Sequence, residues 1–122
     1  MSSINRFIGI GNLTADPELK FIPSGQAVCN IRMAMNRKWK SAQGEWKEEV
    51  CFLTVVAWGK LAESCGENLK KGQPIAVEGR LQNRSWETPN GEKRSVVEVV
   101  ADSVQFLAPK QAKAESEPDI PF

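Results

Sequence analysis

The sequence predicts an all-β domain, a small closed barrel of five strands, on three observations. Five runs alternate apolar with polar residues, or are apolar nearly throughout, as strands do. Turn signals built on Gly, Pro and Asn separate them. Only one stretch, residues 60–69, switches to helical spacing.

The first run, about residues 5–13, leads from Phe7 and Ile8 into Gly9-Ile10-Gly11-Asn12, and its two glycines point to a bulge or a close backbone approach. Asp16-Pro17 and Pro23-Ser24-Gly25 are turns. In the second run, about 26–37, the apolar set Ala27, Cys29, Ile31, Met33, Met35 alternates with the mostly polar Val28, Asn30, Arg32, Ala34, Asn36. The first set reads as core and the second as an open face. The charged segment from Arg37 to Glu49 reads as a loop, with Gly44 near its middle. The third run, about 49–58, carries Cys51, Leu53, Val55 and Ala57 on one face and Phe52, Thr54, Val56 and Trp58 on the other. Leu61, Cys65 and Leu69 then recur every four residues, one stripe of a short helix. Lys70 and Lys71 suit its C-terminal end and Gly72 its stop. The fourth run, about 74–87, turns Ile75, Val77 and Leu81 one way and Glu78, Arg80, Gln82, Arg84 and Trp86 the other. Asn90-Gly91 is a hairpin signal. The fifth, about 94–107, is apolar from Val96 to Val100 except for Glu98. Beyond Pro109 the periodicity stops, and a disordered tail is expected.

Five strands with one short helix between the third and fourth is the order of the oligonucleotide/oligosaccharide-binding barrel, the five-stranded Greek-key OB-fold. In that fold the face of strands 2 and 3, with the loops joining strands 1–2 and 4–5, binds the ligand. A small sandwich is the alternative, and it accommodates the helix less well.

At 122 residues the chain supports one domain with a real core. We place that domain at residues 1–109 and a short tail at 110–122. Nothing approaches the ~20 consecutive apolar residues of a membrane span, so no membrane partner is expected. Met1-Ser2-Ser3-Ile4 lacks the apolar stretch of a secretory signal. The three widely spaced cysteines, Cys29, Cys51 and Cys65, argue against a disulfide framework and fit a reducing, cytoplasmic setting. Histidine is absent, which removes the commonest general base and metal ligand. No phosphate-binding loop, dinucleotide fingerprint or nucleophile elbow is present. A non-enzymatic chain that needs no metal or cofactor is expected.

Residues 1–110 carry 15 Lys/Arg against 12 Asp/Glu, whereas the tail sets Lys113 against Glu115, Glu117 and Asp119. A mildly basic body suggests an anionic partner, and an acidic tail a basic one.

Most of the four tryptophans fall where the pattern predicts solvent. Trp39 and Trp46 lie in the charged segment, Trp58 beside Phe52 on an outer face, and Trp86 beside Arg80 and Arg84. Exposed rings call for a partner. Cations are interleaved with them: Arg32, Arg37, Lys38 and Lys40 near Trp39, Lys60 beside Trp58, and Arg84, Lys93 and Arg94 near Trp86. Flat rings in a basic groove match a single strand of nucleic acid. Its bases stack at about 1–3 kcal/mol each with little regard for sequence, and its phosphates add salt-dependent affinity. The candidate binding residues are Trp39, Phe52, Trp58, Trp86, Arg32, Arg37, Lys38, Lys60, Arg80 and Arg84. A competing reading packs Phe52, Val56 and Trp58 under the helix or at a subunit contact. Glu45, Glu48 and Glu49 crowd Trp46, and Arg80 and Arg84 are also readable as plain surface charges.

The tail ends in Glu117-Pro118-Asp119-Ile120-Pro121-Phe122. Its two prolines forbid a helix and favour an extended form, shaped to offer Ile120, Phe122 and the terminal carboxylate to a pocket on another protein; a disordered tail with a chance aromatic end is the competing reading.

Several segments together resemble the bacterial single-stranded DNA-binding proteins with one OB-fold domain per chain. They are Gly11-Asn12-Leu13 with Asp16-Pro17-Glu18, Pro23-Ser24-Gly25, Asn30-Ile31, Trp39, Gly59-Lys60-Leu61-Ala62-Glu63, Leu69-Lys70-Lys71-Gly72, Val77-Glu78-Gly79-Arg80-Leu81, Arg84-Ser85-Trp86 and Asp119-Ile120-Pro121-Phe122. The resemblance runs over essentially the whole chain. It implies a homotetramer that coats single-stranded DNA without strong sequence preference, in the cytoplasm and on the nucleoid. It assigns base stacking to Trp39, Phe52, Trp58 and Trp86. The family often has Trp where Phe52 stands and Phe where Trp58 stands, and both remain flat rings. It also implies that the tail tip docks onto replication, recombination and repair proteins, with Phe122 in an apolar pocket and the acidic residues on a basic rim. The family's tip commonly has several consecutive Asp residues, whereas Pro118 here precedes a single Asp119. An RNA-binding or primosome OB module, which needs no docking tail, and an adaptor with a protein-binding aromatic face are the alternatives.

Overall fold

The computed structural model describes residues 3–107. The expected tail, with Glu117, Pro118, Asp119, Ile120, Pro121 and Phe122, lies outside the described residues. The elements are β1 (Phe7–Leu13), β2 (Glu18–Phe21), β3 (Ala27–Lys40), β4 (Trp46–Trp58), α1 (Gly59–Asn68), β5 (Pro74–Glu87) and β6 (Lys93–Phe106). The five expected strands are β1, β3, β4, β5 and β6, and α1 sits between β4 and β5. The sheet runs β1-β5-β6-β4-β3-β2, and a further β1–β3 pairing closes it. β4 and β6 run parallel. The barrel is the OB-fold that the strand order predicts.

Alternation along the strands builds the core. Cys29, Ile31 and Met33 of β3 meet Val55 and Ala57 of β4, Ile75 and Val77 of β5, and Val99 of β6. Ala62 and Cys65 of α1, followed by Leu69, join the same cluster. Burial, with a smaller contribution from Cys29, pushes the Cys65 thiol up to about 12. Cys29 is raised too, by burial first and then by the charge of Glu18. Both therefore act as small apolar side chains.

Of the two readings of the β1 glycines, the structure shows close approach. A Cβ on Gly11 would lie 2.5 Å from the Ala34 carbonyl oxygen, where β1 crosses β3 to close the barrel. A register shift between Glu78 and Gly79 marks a bulge in the β5–β6 pair. Gly79 faces Ala101 and Glu78 faces Ser103, so Asp102 is the extra residue. The inward set of β6 accordingly changes from Val99 and Ala101 to Val104.

Three expectations need correction. The segment from Arg37 to Glu49 is not a loop. β3 and β4 pair continuously from Val28↔Trp58 to Lys40↔Trp46, which makes a long hairpin arm. Beyond the barrel both faces of that arm meet solvent, so its sequence shows no hydrophobic alternation. β2 is an additional strand of four residues paired to β3 from Glu18↔Asn30 to Phe21↔Ala27, too short for alternation to signal it. β5 and β6 form a second arm, with Glu87↔Lys93 at its tip. Leu81, expected inward, is exposed because it lies out on this arm. The Asn5 side chain lines the arm's edge, donating 2.8 Å to the Leu81 carbonyl and accepting 2.8 Å from its N–H.

Candidate nucleic-acid interface

The outer faces of β3, β4, β6 and β5 form one continuous surface that curls into a groove of about 680 Å³. Part of its floor is apolar. Val56 of β4 and Val100 of β6 are register partners, and each is 8% exposed although it points outward. Trp58, opposite Val28, lines the groove from the β4 end. Trp86 lines it from the β5–β6 arm. Both rings keep about two-fifths of their surface open, 41% for Trp58 and 43% for Trp86. Rings this exposed on a concave surface leave faces for a flat ligand.

Arg32 lines the groove opposite Thr54. Among the described residues, no carboxylate lies within ion-pair distance of it. Lys20 and Arg84 also line the groove, as do Asp16, Glu18 and Glu98. Asp16 is occupied, accepting the Lys71 backbone N–H at 2.8 Å. The groove is therefore of mixed charge rather than uniformly basic.

The structure thus gathers four candidates, Arg32, Trp58, Arg84 and Trp86, around one groove. Phe52, opposite Ala34, and Lys38, opposite Glu48, continue the outward alternation of β3 and β4 along the first arm. Trp39 and Arg37 belong to the other alternation set of that arm, with the Arg37 guanidinium 4.6 Å over the Trp39 ring. Arg37 also donates to Glu49 at 2.9 Å. Lys60 in the first turn of α1 and Arg80, 3.9 Å from Asp102, do not line the groove. Trp46 is exposed near the tip of the first arm.

Sequence reasoning missed Glu98, whose carboxylate is nearly buried in the groove and takes a two-pronged contact from Arg84. A single charge inside Val96-Val97-Glu98-Val99-Val100 was the available signal, since a charge inside an apolar run needs a partner. It also missed a repeated pattern. Arg37-Lys38-Trp39-Lys40-Ser41-Ala42-Gln43-Gly44-Glu45 and Arg84-Ser85-Trp86-Glu87-Thr88-Pro89-Asn90-Gly91-Glu92 share Arg-x-Trp-x-Ser/Thr-x-x-Gly-Glu. The two tips fold alike. Ser41 N–H donates to the Glu45 carbonyl and Thr88 N–H to the Glu92 carbonyl, each at 2.8 Å, and each hydroxyl accepts from the same glutamate's N–H. In both arms the guanidinium lies over the tryptophan two residues on.

The model of the single-strand binding protein family matches residues 4–107. The chain belongs to this family. Single-stranded DNA-binding protein 2 of Chlorobaculum tepidum is 42% identical over 118 residues, which span 96% of this chain and 80% of that protein. Among solved structures, a deletion mutant of the single-stranded DNA binding protein from Thermus aquaticus superposes with a TM-score of 0.78 at 34% identity. The match covers 88% of this chain and 52% of the Thermus chain, so the present chain spans about half of that one. The Plasmodium falciparum SSB in complex with ssDNA superposes with a TM-score of 0.82 at 24% identity, over 88% of this chain and 98% of that one, and shares the fold. Membership in the single-strand binding family and the OB-fold therefore rest on independent comparisons of sequence and structure.

Proposed function

We propose that this chain binds single-stranded DNA without strong sequence preference, as a coating and recruiting protein rather than a catalyst. One observation carries the reading: a groove of about 680 Å³ holds two exposed tryptophans beside Val56 and Val100, with the cation Arg32, which has no ion-pair partner among the described residues, next to them. Bases stack on the rings, and phosphates follow the cations. Trp58 and Trp86 are the central platforms, Phe52 extends the track along the first arm, and Trp39 adds a platform on that arm's other face where the strand wraps around it. Arg32, Arg37, Lys38, Lys60 and Arg80 supply charge around it. A duplex, whose base faces are hidden, fits this site poorly.

Assembly into a homotetramer belongs to the same proposal. Ile8 and Ile10 of β1 are 73% and 63% exposed. Among the described residues, the β1 edge facing β3 is paired at Asn12 and Leu13 alone. Apolar side chains beside an open strand edge favour a second copy. Recruitment of replication, recombination and repair proteins by Glu117–Phe122, and a place on the cytoplasmic nucleoid, complete the reading. Composition and family resemblance support them.

The test is titration of the full chain with oligo-dT, followed by tryptophan fluorescence, with the mass of the complex measured alongside. Quenching at low salt and a fall in affinity as salt rises are expected. Absence of quenching, or equal or tighter binding of a matched RNA, overturns the DNA reading. A mass of one subunit overturns the tetramer alone.

A further inference from the structure

Arg84 and Glu98 differ from the other charges of the groove. The Glu98 side chain is 7% exposed, whereas that of Arg84 is 53% exposed. Arg84 Nε donates to both carboxylate oxygens at 3.2 Å, and Nη2 donates to Oε2 at 3.1 Å. The same guanidinium lies 4.8 Å over the Trp86 ring. A guanidinium donates through its edge and stacks through its face, so one group makes both contacts at once. In the strand register Gln82, not Arg84, stands opposite Glu98, and the carboxylate reaches its partner diagonally. Two consequences follow. The charge of Arg84 is met inside the protein before any phosphate arrives. One face of the indole is covered, and the other is left for a base.

We propose that Glu98, acting through Arg84, is a positioning residue that fixes the Trp86 ring for base stacking, and that Arg84 makes no phosphate contact. The proposal rests on the single-strand reading above and revises the role that sequence reasoning gave Arg84. A buried carboxylate holding a cation in the middle of an anion-binding groove opposes the ligand unless it does something else. Here it orients the guanidinium plane, and the plane orients the ring.

The experiment uses the full chain with Trp39, Trp46 and Trp58 replaced by Phe, so that Trp86 alone reports. Its time-resolved fluorescence anisotropy is read in the free protein. Labelled oligo-dT is titrated at several salt concentrations. In Arg84→Gln the ring is expected to depolarise faster and affinity to fall about tenfold, with the slope of log K against log salt unchanged. Glu98→Gln loosens the ring and steepens the slope by about 0.7, because a cation is released to the phosphates. Arg84→Lys keeps the charge but cannot stack, and does not restore the ring. A phosphate contact gives the opposite set: Arg84→Gln flattens the slope by about 0.7, Arg84→Lys restores affinity, and the Trp86 anisotropy never moves. That set overturns the proposal. If a single variant fails to fold, Arg84→Met with Glu98→Met leaves no unpaired buried charge, and a loose ring with an unchanged slope is expected from it. If the unsubstituted chain fails to bind oligo-dT at low salt, the single-strand reading falls. The anisotropy of the free chain still decides whether Glu98 and Arg84 hold the ring.

Discussion

The two hairpin arms begin from the same local chemistry and end in different roles. Each has Arg and Trp two residues apart on one strand face, a guanidinium over the indole, a carboxylate on the guanidinium, and the same hydrogen-bonded tip. They differ in where the carboxylate sits. In the β3–β4 arm, Glu49 lies directly opposite Arg37, and their side chains are 56% and 66% exposed. In the β5–β6 arm the carboxylate is buried beside Val96 and Val100 in the groove. An exposed pair contributes about 0–1 kcal/mol and opens readily. A carboxylate held out of water cannot release its partner without leaving a buried charge. The same motif is thus a loose surface contact in one arm and a fixed support in the other, and they differ in burial, in register and in the strand face that carries them.

The largest effect is expected at the root of the β5–β6 arm. A Cβ on Gly79 would fall 2.1 Å from the Val100 carbonyl oxygen and 2.9 Å from the Ala101 Cα, both backbone atoms. Gly79→Ala should therefore lower stability by about 3 kcal/mol in urea unfolding and displace Trp86 from the groove. The first arm has no such shift in its register. If Gly79→Ala unfolds with unchanged stability, the bulge does not anchor the second arm. Next comes Arg84→Gln, which strips the partners from a buried carboxylate and should lower stability by about 2 kcal/mol.

Binding separates the arms by a smaller margin. Trp86→Ala should weaken oligo-dT affinity by about 1.5 kcal/mol, the stacking of one base. Trp39→Ala should weaken it less, since Trp39 is outside the groove lining and on the other alternation set of its strand. Equal losses would show that the strand bends around the first arm and that exposed and buried supports serve the rings alike.

How far the sequence was legible follows the same division. The barrel strands could be read because Cys29, Ile31 and Met33 are buried in alternation with less buried, mostly polar neighbours, and burial writes alternation into sequence. Trp58 and Trp86 could be read as exposed rings, and so as candidates, because large rings stood at positions the pattern left open to solvent. The arm from Arg37 to Lys40 and from Trp46 to Glu49 could not, because no face of it packs on the core and charges fill both strands. Opposite charges across a register, such as Arg37 and Glu49, become visible only once the pairing is known. Glu98 was hidden for a different reason: its partner Arg84 is distant in sequence, and only the β5–β6 register brings them together. The bulge at Gly79, with its change of inward set from Ala101 to Val104, likewise depends on the partner strand.

The smallest effect sharpens the comparison most. Arg37→Gln removes the same kind of guanidinium from the same place beside a tryptophan as Arg84→Gln does. Because the Arg37–Glu49 pair is open to water, its loss should change stability by less than about 1 kcal/mol. Because the pair opens readily, Arg37 is free to meet a phosphate, so the slope of log K against log salt should flatten by about 0.7. Arg84→Gln should show the reverse, a larger stability loss and no change in slope. The two variants make the same change in the same local motif, so the pair of measurements sets exposed against buried support. A flattened slope in both would mean that burial of Glu98 does not withhold Arg84 from the strand. A flattened slope in neither would place the first arm outside the path of the phosphates.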